Sequence, residues 1–219
     1  EGIIHPLNDN WMISSYQYGS RTRTIDGGTG IKGVNPPGVS GGYWIAPLAY
    51  DPNNHMSFYD FRDSIHRTVD FGSTHTYVGQ PNFSGDIQVA AIAENNSQIM
   101  VVARNKNIEK STDGGQTFVS IRGSLPNADI RDISFNPNDD DNIFVVYGRY
   151  QNDGNKVFMT NDGGSTWLNI TYNLGDMPIS SVVVDHTSAS NIYLGAEIGV
   201  YSKSMSGTTW TLHGLGLPN

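Results

Sequence analysis

A short motif returns along this chain at nearly constant spacing. It reads Ser111-Thr112-Asp113-Gly114-Gly115-Gln116-Thr117-Phe118 in one place and Thr160-Asn161-Asp162-Gly163-Gly164-Ser165-Thr166-Trp167 in another. Weaker copies are Thr68-Val69-Asp70-Phe71-Gly72-Ser73-Thr74-His75 and Thr24-Ile25-Asp26-Gly27-Gly28, and an eroded one is Lys203-Ser204-Met205-Ser206-Gly207-Thr208-Thr209-Trp210. The Asp-equivalent positions 26, 70, 113, 162 and 205 are separated by 44, 43, 49 and 43 residues. A period in the forties with strand-like flanks signals a repeat architecture, in which each unit is one supersecondary element.

The physical chemistry of the motif is that of a turn. An Asp carboxylate can accept hydrogen bonds from backbone N–H groups just ahead of it and so close a tight turn. Glycines that follow it tolerate positive φ, which tight hairpins require. The terminal aromatic then opens the next strand and packs between layers. The expected structural positions are Asp26, Asp70, Asp113, Gly115, Phe118, Asp162, Gly164, Trp167 and Trp210. A row of catalytic acids or metal ligands is the competing reading. It fits poorly, because each Asp is committed to its own turn and Met205 replaces it in one copy.

A second repeat runs in phase with the first. Polar turns recur at Asn8-Asp9-Asn10, Asp51-Pro52-Asn53-Asn54, Glu94-Asn95-Asn96-Ser97, 136–141 and 185–188. Each follows an apolar-rich run, such as 87–92 or 179–184, and precedes another, such as 99–103 or 143–147. Every repeat therefore predicts four strands, A to D, with the Asp motif between C and D. No helical periodicity is present. An all-β chain of four-stranded antiparallel sheets at this period is expected to be a β-propeller of about five blades. The predicted blades are 1–40, 41–85, 86–127, 128–176 and 177–219. The long step of 49 has a cause in 149–156, an extended B–C hairpin with Asp153-Gly154 at its tip. Residues 3–10 align by type with 46–53, the end of an A strand and its turn. The chain is accordingly expected to enter its first blade part-way, as a slice of a larger propeller.

The motif resembles the Asp-box of sialidase-type and sortilin-type β-propellers, and the resemblance runs through the whole chain. In flavour the repeats are most similar to those of large secreted bacterial proteins exported by the type IX pathway. Their blades resemble the runs from Gly42-Tyr43-Trp44 to Asp51-Pro52 and from Gly195-Ala196-Glu197 to Tyr201, and their closing segment resembles Gly216-Leu217-Pro218-Asn219. The resemblance implies an extracellular or cell-surface protein, with further blades or domains of a parent protein as neighbours. Sialidases of this class need an arginine triad, a Tyr–Glu nucleophile pair and an acid Asp. Their Phe-Arg-Ile-Pro motif is absent here, with Phe61-Arg62-Asp63 a poor echo. Xyloglucanase-type propellers use two Asp residues across a cleft between propellers.

Composition narrows the classes further. The 219 residues suffice for a sizeable core. With no Cys, disulfides and thiolate metal sites are excluded. A net charge of −8 argues against a nucleic-acid binder, and no apolar stretch is long enough to span a membrane. No cofactor motif is present. The run Asp139-Asp140-Asp141 can be read as a Ca²⁺ ligand set or as a solvated A–B turn. Sequons stand at Asn82, Asn95 and Asn169.

In propellers the B–C and D–A connections share one face, opposite the Asp turns. The candidate ligand-binding residues on those connections are Tyr18, Arg21, Trp44, Arg62, Arg104, Arg149, Tyr150 and Glu197. Converging guanidinium groups can hold a carboxylate or sulfate, and neighbouring aromatics can stack on a sugar ring. The alternative is that arginine simply solvates exposed turns. The function expected is non-catalytic binding of a protein or glycan. A fragment of a glycoside hydrolase and a peptide-binding assembly propeller stand as alternatives.

Overall fold

The computed structural model describes residues 1–39 and 41–214, so Gly216–Asn219 lies outside the described residues. Among the described residues there is no α-helix, only a 3₁₀ turn at Gln17–Gly19. The described residues form twenty strands in five four-stranded sheets, each in sequence order. The first holds β1 (Gly2–His5), β2 (Asn8–Ser15), β3 (Arg21–Thr24) and β4 (Lys32–Gly33). The second holds β5 (Leu48–Tyr50), β6 (Phe58–Phe61), β7 (Ile65–Thr68) and β8 (Thr76–Gly79). The third holds β9 (Val89–Ile92), β10 (Met100–Arg104), β11 (Asn107–Ser111) and β12 (Val119–Ser120). The fourth holds β13 (Ile130–Asn136), β14 (Asp139–Tyr147), β15 (Val157–Thr160) and β16 (Leu168–Asn169). The fifth holds β17 (Ile179–Val184), β18 (Asn191–Ala196), β19 (Gly199–Ser204) and β20 (Thr211–Leu212).

Gly2–His5 is itself a first strand, paired antiparallel with β2 from Gly2 opposite Ser14 onward. Its two inward side chains, Ile3 and His5, are buried while Gly2 and Ile4 face out.

The chain folds into two compact units, Glu1–Ile92 with Asn96–Arg104 and Glu109–Val119, and Ala93–Asn95 with Asn105–Ile108 and the residues from Ser120 onward. Two apolar clusters hold the first. One joins Tyr59, Phe61, Ile65, Ile87, Met100, Val102 and Phe118; the other joins Ile3, Ile13, Val34, Phe58 and Phe71. The second unit has a cluster running from Phe144 and Val157 through Ile179 and Leu194 to Trp210. Strands β6, β10 and β15 are buried along their whole described length or nearly so, as apolar runs covered on both faces must be. Strand β17 instead alternates, with Ile179, Val182 and Val184 inside.

The repeated turn is closed by its own side chains. In the fourth sheet the Gly164 and Thr166 amides donate to Thr160 Oγ1 and Asp162 Oδ1 at 3.0 and 2.9 Å, and the Thr166 hydroxyl donates to Asp162 Oδ2 at 2.6 Å. Asp113 accepts in the same way from Gln116, Thr117 and Ser111, and Asp70 from Ser73, Thr74 and Thr68. Asp26 accepts from the Thr24 hydroxyl and the Gly30 amide. Gly164 sits at φ 99°, and a Cβ there would lie 2.6 Å from Ile121, so the turn needs glycine. Trp167 then donates from Nε1 to the Ile121 carbonyl at 2.7 Å, and Trp210 to the Ile170 carbonyl at 2.9 Å. In the fifth sheet Lys203 replaces the turn-opening Ser/Thr. Its ammonium donates to the carbonyls of Ser204 and Met205 and lies over the Trp210 ring, a cationic substitute for the missing Asp.

Candidate functional site

In the first unit the connection between β2 and β3 meets the long one between β4 and β5. Tyr18 takes a left-handed backbone, φ 59°, and its amide donates to the Trp44 carbonyl at 3.1 Å. The two rings stand edge to face with centroids 5.1 Å apart. Both remain half-exposed, beside a similarly exposed Ile45 and a more exposed Tyr16. An aromatic pair held toward solvent by its own backbone is a surface shaped for contact.

What holds this pair is beneath it. Asp60, on β6, is fully buried and sits between two arginines, Arg21 at 0 % and Arg62 at 2 % exposure. Both guanidiniums reach it at 3.0 Å. Arg21 Nη2 also donates to the carbonyls of Ala46 and Pro47, at 2.9 and 3.0 Å, anchoring the connection that carries Trp44. Arg62 Nη2 donates to the Gly19 carbonyl, anchoring the connection that carries Tyr18. A Cβ on Gly19 or Gly42 would meet the Arg62 side chain at 2.9 Å, so the two loops close directly over it. Arg21 and Arg62 therefore face inward as positioning residues, their Nη2 groups engaged by the fold, while the buried Arg21 Nε has no partner among the described residues. Arg104 is partly buried and similarly ties the connection between β8 and β9, through Nη1 to the Asp86 carbonyl at 2.9 Å.

The second unit presents a different arrangement at its corresponding connections. Arg149 pairs with Asp153 at 2.6 Å, and Lys156, nearly buried, pairs with Asp176 at 3.2 Å and donates to the Arg149 carbonyl. The Glu197 carboxylate lies near the exposed Tyr150 hydroxyl and pushes the phenol pKa up. The fold thus brings Tyr150 and Glu197 together across two sheets. Tyr147 is fully buried and, among the described residues, its hydroxyl has no partner, nor do the buried Nε atoms of Arg122 and Arg149. Burial pushes the Tyr147 pKa up, and Arg122 and Arg149 pull against that rise. Neither Arg122 nor Tyr147 stands out in the sequence.

The Asp-turn carboxylates are charged acceptors with full complements. Hydrogen bonds led by Thr117 hold Asp113 at a pKa of about 2, and those led by Thr160 do the same for Asp162. Asp139 and Asp140 are hydrogen-bonded to Asp141 N and Asn95 Nδ2. Among the described residues no group of three His, Asp or Glu is placed to hold a metal ion. The sequon asparagines all donate from their amides, Asn82 to Glu109 and the Phe118 carbonyl, Asn95 to the Pro137 carbonyl and Asn169 to the Gly154 carbonyl. No helix is long and apolar enough to cross a membrane.

Five four-stranded antiparallel sheets, each strand beside the next in sequence, define a β-propeller. Solved structures carry the same fold. The chain is similar to a GH74 enzyme of Niastella koreensis, at 20% identity and a TM-score of 0.72, covering 96% of this chain and 36% of that one. It is similar to the GH74 xyloglucanase of Xanthomonas campestris at 13% identity and a TM-score of 0.75, again covering 96% and 36%. It is also similar to YCF48 bound to the D1 peptide, at 14% identity and a TM-score of 0.65, covering 93% and 63%. The chain thus spans 36% of the length of each of those two enzymes. No protein-family model matches the sequence, and no curated protein does.

Proposed function

We propose that this chain is a non-catalytic recognition module of a secreted or cell-surface protein, binding a glycan through the connections that carry Tyr18 and Trp44. The observation that carries the reading is that aromatic pair, turned to solvent over a buried Arg21–Asp60–Arg62 cluster. Edge-to-face rings with fixed backbones lose little entropy on binding and offer an apolar face to the C–H side of a sugar. Within the same unit Arg104 steadies a further connection through the Asp86 carbonyl, and Arg149, Tyr150 and Glu197 of the second unit are proposed as a separate contact surface. A protein ligand is the alternative on the same loops, and a propeller of this fold is known with a peptide bound. The resemblance of 42–52 and 195–201 to repeats of proteins exported by the type IX pathway supports an extracellular, adhesin-like setting. The Asp turns support descent from Asp-box propellers. Further blades or domains of a parent protein are the nearest partners, and no nucleic acid or cofactor enters the reading.

A second reading, part of a glycoside hydrolase, is favoured by the likeness to GH74 enzymes over 96% of the chain. A glycan array compared between wild type and the Tyr18→Ala/Trp44→Ala double variant tests the first reading. Glycan binding lost in the variant at unchanged thermal stability is the expected result. Binding untouched by the double substitution would contradict it, and release of reducing sugar from xyloglucan by the wild-type chain would favour the hydrolase.

A further inference from the structure

A second surface lies at the Asp-turn end of the first unit, outside everything assigned so far. Between the second and third sheets a cleft of about 350 Å³ is walled by Tyr77, Val69 and Thr76 on one side. Gln98 and Gln116 wall the other, and Arg67 also lines it. The volume falls within the range of small-ligand sites. Three features say what chemistry it takes.

The first is an aromatic wall. Tyr77 and Val69 are each 56% exposed, and the Tyr77 ring is braced edge-on by the His66 ring at 5.7 Å. A tyrosine braced on a strand and open on one side offers a fixed stacking face.

The second is charge neutrality. Arg67 is already paired with Asp51 at 2.7 Å and lies over the Tyr59 ring. Asp113 has both oxygens engaged by its own turn. Each charged group therefore carries its counter-charge or full hydrogen-bond set, and an ionic ligand gains no unpaired partner here. The third feature is free neutral polarity. The side-chain amide of Gln98 makes no hydrogen bond among the described residues, while Gln116 uses only its Nε2, on the Asp113 carbonyl. An amide offers a donor and an acceptor together, which suits vicinal hydroxyls. Rigidity completes the site. A Cβ on Gly79 would lie 2.3 Å from the Gly115 carbonyl, so strand β8 and the Asp113 turn are packed in direct backbone contact.

We infer that this cleft is a binding site for a neutral saccharide, a pyranose ring stacking on Tyr77 with its hydroxyls on Gln98 and Gln116. The site goes beyond the Tyr18–Trp44 reading and does not depend on it. Calorimetric titration of the whole chain with cellotetraose, whose equatorial rings present flat C–H faces, tests both. The variants are Tyr77→Ala, Gln98→Ala and Trp44→Ala, all at exposed or surface positions. The expected result is that Trp44→Ala retains a binding event that Tyr77→Ala removes, with Gln98→Ala weakening that event about tenfold, which corresponds to ~1.4 kcal/mol. Loss of all binding in Trp44→Ala overturns the cleft while leaving the first reading in place. A Tyr77→Ala protein that titrates like wild type, or a chain that binds no saccharide but an uncharged peptide at Tyr77, also overturns it. Cellotetraose bearing a terminal uronic acid that binds the cleft more tightly would contradict the neutrality argument and so the assignment.

Discussion

Two loop clusters at corresponding connections of the propeller carry arginine, and they use it in opposite ways. In the first unit Arg21 and Arg62 are buried and turned onto one carboxylate, and the surface above them is aromatic. In the second, Arg149 is partly exposed, paired with a surface Asp153, and neighbours a buried Tyr147 hydroxyl with no partner. The difference traces to one position. Residues two apart on a strand share a face, and two residues before Arg62 stands Asp60, whereas two before Arg149 stands Tyr147 and two before Arg104 stands Val102. A carboxylate there draws the guanidinium onto a buried charge; without one, Arg104 turns to a backbone carbonyl and Arg149 to a part-exposed carboxylate.

The largest effect should come from Asp60→Ala. Removing one partner of a buried charge cluster strands the others, at a cost of about 3–5 kcal/mol, read as a fall in the urea midpoint. A loss below about 1 kcal/mol would mean that the two arginines find compensation and that the cluster is not what fixes the loops.

Acid should come next, and it should act on both units. Asp113 and Asp162 are held at about 2 by their turn hydrogen bonds. For Asp70, burial pushes upward, but the bonds from Thr74, Thr68 and Ser73 outweigh it and leave it at about 2 as well. A carboxyl depressed below its unfolded value of about 3.9 stabilises the fold above that pH, and the contribution is lost as pH falls towards 2. Thermal unfolding followed from pH 6 to pH 2 should show this decline. The Asp113→Asn and Asp162→Asn variants should be less stable at pH 6 and flatter with pH. A variant with unchanged pH dependence would show that the turn does not rely on the charged form.

Tyr147→Phe should move stability the other way, by a gain of about 1 kcal/mol or slightly less, because it deletes a buried hydroxyl that has no partner. A marked loss in chemical denaturation would reveal a partner for that hydroxyl and erase the contrast with Asp60. Asp153→Ala should be the mildest, within about 0.2–1 kcal/mol for a part-exposed pair. A loss as large as that of Asp60→Ala would collapse the distinction between the clusters.

The repeat and its turns were legible because their chemistry is local: Asp162 bonds residues within four positions of itself. The inward course of Arg21 and Arg62 was not, since it depends on Asp60 reached from two different sheets. The Asp60-Phe61-Arg62 spacing was nonetheless a usable signal. Tyr150 and Glu197 were both candidates, but the influence of the carboxylate on the phenol arises only where neighbouring sheets bring them together. Exposure of Tyr18 rests on its left-handed backbone, which a tyrosine does not announce. The cleft at Tyr77 was invisible for a related reason: its walls come from β8 and from a turn one repeat later.

The most direct measurement follows the indole N–H signals of ¹⁵N-labelled protein while an array-selected glycan is added. Four tryptophans give four signals, and two of them, Trp167 and Trp210, have their N–H groups engaged by backbone carbonyls. The account predicts that Trp44 shifts with ligand while Trp167 and Trp210 stay in place. A shift at Trp167 or Trp210 with Trp44 unmoved would contradict it, and would move the binding surface away from the Tyr18–Trp44 pair.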